Sequence, residues 1–237
     1  GEARPYYEWF KHEDWGDAPE DRSGFLLQRY MVHADFHFGK SFRFFGQLKS
    51  GIESGRNGGP RPPDEDKLDV HQAFADVTLQ SHKSRSIVLR FGRQEMSFGS
   101  QRLIATREGP NVRASFDGIR LLVKQSTWKI DAFVTKPVKT NRGFFDDSPD
   151  HAVTFWGVYA VRPLSLLPFK GSVDFYYLGF DKKRARFDQG VGRESRHSFG
   201  TRLWNSSEAI DYNFELVYQL GAFHSIKKGD IRAWTVA

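Results

Sequence analysis

The sequence predicts an all-β fold, an antiparallel up-and-down transmembrane β-barrel, and three observations predict it. Apolar and polar residues alternate with a period of two through most of the chain, the period of extended strand. The alternating segments reach about ten residues or more, against roughly five or six in soluble sheets, and a tilted bilayer crossing needs about that length. Their connections also sort by length: short at Gly39, Ser81, Gln125 and Asn205 and moderate at Pro163, but long at Glu13, Ser54, Ser97, Pro137 and Asp181.

Arg29 to Glu53 sets the pattern. Tyr30, Val32, Ala34, Phe36 and Phe38 alternate with Arg29, His33, Asp35 and His37, Met31 being the apolar exception. After the break at Gly39, Lys40 and Ser41, residues Phe42, Phe44, Leu48 and Ile52 alternate with Arg43, Gln47, Lys49 and Glu53, and Phe45 is the exception. Such a ribbon has one greasy face and one charged face. In a soluble sandwich the greasy face packs inward, and in an outer-membrane barrel it meets lipid while the polar face lines a wet lumen.

The remaining segments follow in order. Tyr6 to His12 reads as a first strand and Glu13 to Gly24 as a loop, while Ser54 to Lys67, with its Gly and Pro residues, is a long exposed loop. Alternation resumes at Asp69 to Gln80, Ile87 to Gln94, Asp117 to Val123 and Trp128 to Thr135, with a long segment at Ser97 to Arg113. In the second half, Val153 to Val161 is read with Phe155, Gly157 and Tyr159 on its greasier face. Val173 to Tyr177, a basic loop from Asp181 to Glu194, His197 to Leu203 and Ile210 to Leu220 complete roughly eleven strands. Ile231 to Ala237 reads as a strand still in progress, so the expectation is a single barrel domain over 1–237, the N-terminal part of a larger barrel and incomplete at its C-terminus.

Composition narrows the function. Aromatics make up 15% of the chain, 22 of them Phe, which suits β-structure and lipid-facing positions. There is no cysteine, hence no disulfide framework or thiolate metal site. The formal charge of +6 comes from 35 Lys plus Arg against 29 Asp plus Glu, too balanced for a dedicated nucleic-acid binder. No apolar run reaches the roughly 18 to 20 residues of a membrane-spanning helix, which says nothing against a barrel.

With the greasy face outward, the opposite residues project into the lumen. Arg29, Arg43, Lys49, Arg90, Arg120, Lys129, Arg196, Arg202 and Arg232 are the candidate cations, and Asp35, Glu53, Asp76, Asp131, Asp174, Asp211 and Glu215 the anions. Arg93, with Gln94, Glu95, Gln101 and Arg102, is a candidate constriction near the loop end, the alternative being that these groups bond the loop backbone. Guanidinium groups hold carboxylates bidentately, and rings of Arg or Lys select anions at several weak sites in series. Otherwise Arg and Asp on neighbouring strands pair as structural ladders. The Lys182, Lys183, Arg184 and Arg186 run reads as a solvated loop or a contact for lipopolysaccharide phosphates. No catalytic constellation appears: His33 and His37 would lie about 13 Å apart on one strand face, and neither a nucleophile elbow nor a phosphate loop is present. The expectation is a protein that is not an enzyme and uses no metal or cofactor.

The segments FGRQEMSFGSQRL (Phe91 to Leu103) and RASFDGIRL (Arg113 to Leu121), with VHQAFADV (Val70 to Val77) and YYLGFD (Tyr176 to Asp181), resemble the alginate export family of bacterial outer-membrane channels. That resemblance implies a monomeric barrel of about eighteen strands in lipid, with an arginine-rich lumen that passes a polyuronate. The function expected is passive diffusion of an anionic polysaccharide or oligosaccharide, or of small anionic solutes. The alternative is a soluble or periplasmic β-sandwich that binds acidic glycans.

Overall fold

The protein is described here from a computed structural model, which describes residues 1–11, 22–166, 169–206, 210–225 and 228–237. Thirteen strands build it: β1 (Glu2–Lys11), β2 (Arg22–Phe38), β3 (Phe42–Ser54), β4 (Asp66–His82), β5 (Arg85–Gln94), β6 (Phe116–Gln125), β7 (Trp128–Lys139), β8 (Ser148–Pro149), β9 (Val153–Leu166), β10 (Phe169–Phe187), β11 (Gly190–Asn205), β12 (Tyr212–His224) and β13 (Lys228–Val236). They form one antiparallel sheet in which strands neighbour one another in chain order, with the two-residue β8 set aside against β7. Among the described residues β1 and β13 are its two edges.

The strand count exceeds the roughly eleven expected because the C-terminal segment is a full strand and because Ser148–Pro149 adds the short β8. The expected basic loop from Asp181 to Glu194 is instead a hairpin. Strand β10 runs 19 residues to Phe187, and a register shift between Lys182 and Ala185 lets pairing continue to Phe187 opposite Gly190. Charged side chains exclude strand only where they must be buried, and Lys183, Arg184 and Arg186 are exposed. The expected Glu13 to Gly24 loop falls largely outside the described residues, although Arg22 already belongs to β2.

Residues directly paired across an antiparallel sheet point to the same side, so the register carries one face from strand to strand. Asp76 pairs with Arg43 and Arg90, Arg90 with Arg120, and Arg120 with Phe133. Further along, Asp131 pairs with Tyr159, Tyr159 with Tyr176, Asp174 with Arg202, and Arg202 with Glu215. The charged residues therefore share one face, called inner below. The other face carries the aromatic and aliphatic rows and is bare, with Val32 61%, Val134 59% and Phe214 62% exposed. Among the described residues no second layer covers it, which overturns the sandwich alternative, since a sandwich presses its apolar faces together.

The core lies on the inner face. Met96 and Ile104, from the segment between β5 and β6, pack against Phe133, Tyr159, Tyr176, Leu178 and Val217. This explains why β9 reads backwards in the sequence. Tyr159 pairs with Tyr176 and Val158 with Tyr177, so Phe155, Gly157 and Tyr159 point inward and Val158 and Ala160 outward. Both faces of β9 are apolar, because one meets the outside and the other meets an inserted loop.

Candidate translocation path

The inner face starts as a ladder of ion pairs on β2 to β7. Arg43 grips Asp35 with two hydrogen bonds of 2.8 and 2.9 Å and reaches Asp76 at 3.4 Å. Arg90 holds Asp76 the same way at 2.7 and 2.8 Å, and Arg120 meets Asp131 at 2.6 Å. Bidentate guanidinium–carboxylate geometry recurs because the fork of Arg matches the two carboxylate oxygens. Aromatic rings hold the guanidinium groups flat. Arg90 lies 3.7 Å and Arg43 5.3 Å from the Phe74 ring, Arg43 also 5.4 Å from Phe45, and Phe45 stacks on Phe74 at 5.1 Å. Phe45, an exception to the alternation, is thus an inner platform for arginine, and the buried Met31 is also an inner residue, opposite Lys49.

On β9 to β12 the same face is closed. Asp174 accepts hydrogen bonds from Tyr159 Oη at 2.6 Å, Trp204 Nε1 at 2.8 Å and Arg202 Nη1 at 3.1 Å. Glu215 accepts from Tyr176 Oη at 2.8 Å, Ser100 Oγ at 2.9 Å and Arg102 Nη1 at 2.6 Å. Both carboxylates are buried, so each needs every one of these donors to offset the loss of water.

Residues 95–115 link the two walls. Strand β5 turns inward at Gly92, whose φ of +124° suits glycine and whose missing Cβ leaves room for the Ala73 carbonyl. On one side Asn111 Nδ2 donates to the carbonyls of Gln28, Ile52 and Asp64 at 3.2, 3.3 and 2.9 Å. On the other, Ser100 and Arg102 reach Glu215. The segment therefore crosses the inner space from β2 and β3 to β12. Because β5 ends at Gln94, β4 extends past it, and the segment after β7 covers that stretch through a bridge from Leu68 to Phe144. Arg93 ties the corner by gripping Asp117 at 2.9 and 3.0 Å and the Val70 carbonyl at 3.0 Å.

A second anchor holds the loop beside β1 and β2. Arg29, only 2% exposed, pairs with Glu2 at 2.7 Å and with Glu108, and Glu108 also meets Arg113 at 3.1 Å. Partial burial pushes the Glu108 carboxyl up, but the bond from Arg29 and the charges of Arg113, Arg29 and Arg4 outweigh it and hold the group below its ordinary value. Lys49 is likewise enclosed, with Asp66 at 2.7 Å and Asp147 at 2.8 Å. Asp66, Asp69 and Asp147 have carboxylate oxygens within 4.8 Å of one another, a spread a metal ion could use, and the Lys49 ammonium supplies a cation there.

Of the residues singled out from the alternation, Arg29, Arg43, Lys49, Arg90, Arg120, Lys129, Arg196, Arg202, Asp35, Glu53, Asp76, Asp131, Asp174 and Glu215 lie on the inner face by register, and Asp211 precedes β12 and has no register. Two others do not. Arg232 pairs with Leu220, which pairs with His197, so it shares the outer rows; Ile231, Ala233 and Thr235 face inward instead. In β13 the apolar residues fall on both parities, so alternation leaves the face undecided until the register with β12 is known. Arg93 pairs with Asp117 beside the outward Ile119 and reaches its partners at the loop end of the wall. Most of the inner arginines are ion-paired, so this face is a ladder of neutralised pairs more than a ring of bare cations.

Sequence reasoning missed Tyr159, Tyr176 and Trp204 as donors to buried carboxylates, Tyr159 because it reads as a greasy residue. The signal for two of them was the tyrosine at an inner parity, since buried Tyr seeks a partner for its hydroxyl. Glu108, Asp66 and Asp147 sit at loop or strand ends, where alternation carries no information.

No curated protein matches the chain significantly. A family model described as alginate export matches residues 1–237. With a single antiparallel meander, bare aromatic rows on one side and paired charges with an inserted loop on the other, the chain belongs to the alginate export family.

Proposed function

We propose that the protein is an outer-membrane channel that passes an anionic polysaccharide or oligosaccharide, or small anionic solutes, by passive diffusion along the inner face. The observation that carries this reading is the division of one sheet into an uncovered aromatic face and a charged face. The first suits hydrocarbon and the second an enclosed aqueous passage. Family membership supports transport over catalysis and the bacterial outer membrane as the location.

Arginines already paired can still serve an anion. Arg43 and its partner Asp35 are each about a third exposed, side-chain values of 29% and 34%, and such pairs are worth only about 0 to 1 kcal/mol. A uronate carboxylate can replace Asp35 on the same fork at little cost and leave again. Several exchangeable pairs in series favour passage where one tight site would trap.

The test is reconstitution of the protein in a planar bilayer, with measurement of ion selectivity and of block by added polyuronate. The expected outcome is anion preference and concentration-dependent block. Cation preference without block would remove the assignment.

A further inference from the structure

Toward the β10–β11 turn the inner wall holds a recess of about 380 Å³. Unlike the ion-pair ladder of β2 to β7 it is walled by hydrocarbon: Phe155, Leu178, Phe180 and Phe187 from β9 and β10, with Leu103 from the inserted loop. Its polar side is formed by Arg196, Gln219 and Ser198, themselves joined by hydrogen bonds of 3.2 Å from Arg196 to Gln219 and 2.9 Å from Gln219 to Ser198.

Charge in the recess does not balance. Among the described residues Lys182, Arg186 and Arg196 line it with Glu194 as the one carboxylate, and Glu194 is taken by Arg196 Nη2 at 2.6 Å. Arg196 Nε–H is buried without a hydrogen-bond acceptor among the described residues. Asp150, which feels the charge of Lys182, lies outside the lining and is already held by the Ala152 N–H at 2.9 Å and by Lys139 at 3.2 Å. A buried donor left unpaired and a surplus of cation beside apolar walls are both relieved by one kind of guest, a carboxylate attached to an apolar body. A polyhydroxylated sugar acid fits less well, because its hydroxyls would face phenyl rings that offer no hydrogen bonds.

We propose that this recess is a binding site for a small amphipathic carboxylate, an aryl or branched acyl acid, whose carboxylate meets Arg196 and Lys182 and whose hydrocarbon lies against Phe180 and Phe155. The recess extends the transport reading by a second ligand class and does not depend on which polymer passes. A guest there sits beside Leu103 of the inserted loop and narrows the space the loop already crosses.

Titration calorimetry on the full chain in detergent micelles tests the proposal, with phenylacetate, its uncharged amide and glucuronate as probes. Phenylacetate is expected to bind, and the amide and glucuronate to bind at least about tenfold more weakly. Phe180→Ala and Arg196→Gln should each weaken phenylacetate binding by at least about tenfold, the scale of losing one charge-assisted bond or one ring contact. Lys83→Gln, in the β4–β5 turn, should leave it unchanged. Since Arg196→Gln strips Glu194 of its partner and could unfold the wall, Lys182→Gln provides an independent variant with the same expected direction. Absence of phenylacetate binding, equal binding of glucuronate, or binding indifferent to Phe180→Ala and Lys182→Gln would overturn the proposal. Because the titration needs no translocation, its result is separate from that of polyuronate block in the bilayer.

Discussion

The two walls of the inner face are built from the same alternation and do opposite things. On β2 to β7 the pairs Arg43–Asp35 and Arg120–Asp131 are partly open, so water or a passing anion can compete for either partner, while Asp76 between Arg43 and Arg90 is buried. On β9 to β12 the carboxylates of Asp174 and Glu215, 2% and 6% exposed, are saturated by tyrosine, tryptophan and arginine donors beneath residues 95–115. An open pair is exchangeable because solvent makes its loss cheap. A closed one is an anchor, because breaking it strands a charge.

The sharpest way to break this contrast is Asp174→Ala. It leaves Arg202 with one side-chain acceptor, Asn213, and Tyr159 and Trp204 with none of their observed partners, so a loss of about 3 to 5 kcal/mol is expected. Asp35→Ala on the open wall should cost about 1 kcal/mol or less. Denaturant unfolding in detergent compares them, and equal losses would mean that the two walls do not differ.

Next in size is release of the loop. Glu215→Gln weakens the hold on Ser100 and Arg102 while Asn111 keeps the far end in place, so single-channel conductance should rise severalfold. Unchanged conductance would place the limiting constriction elsewhere.

A smaller effect is expected on selectivity. Replacing Arg90 and Arg120 together with Ser should lower anion preference about two- to threefold, and Asp76→Asn, which takes the carboxylate from Arg90 and leaves Arg43 held by Asp35, should raise it. If reversal potentials stay the same in both variants, those pairs are structural only.

The smallest effect concerns acid. Glu108 is held below its ordinary value of 4.5, so its tie to Arg29 and Arg113 is fully present above that pH and is lost only as pH falls through the lowered value. Protease accessibility of residues 95–115 should therefore be the same at pH 7 and pH 5 and increase only in stronger acid. An increase already at pH 5 would show that this tie is not what holds the loop.

Much of this architecture is legible in the chain, for a physical reason. A period of two reports which residues share a face, and most of the inner charged residues are readable from it. The misreadings arise where parity stops being informative. In β9, Phe155 and Tyr159 are apolar and inward because a loop packs on them, and in β13 only pairing with β12 sets the face of Arg232. The basic run at Lys182 to Arg186 reads as a solvated loop because it is charged, although exposed strand tolerates charge well.

Taken by itself, the sequence determined that this chain is a meander of long antiparallel strands with one greasy and one charged side, because side-chain alternation is a local property of extended backbone. Tertiary structure alone decided which charges are open and which are closed. That depends on where residues 95–115 go after Gly92, and the path is set by contacts between residues far apart in the chain, Arg102 with Glu215 and Asn111 with the backbone of Gln28, which no local pattern encodes.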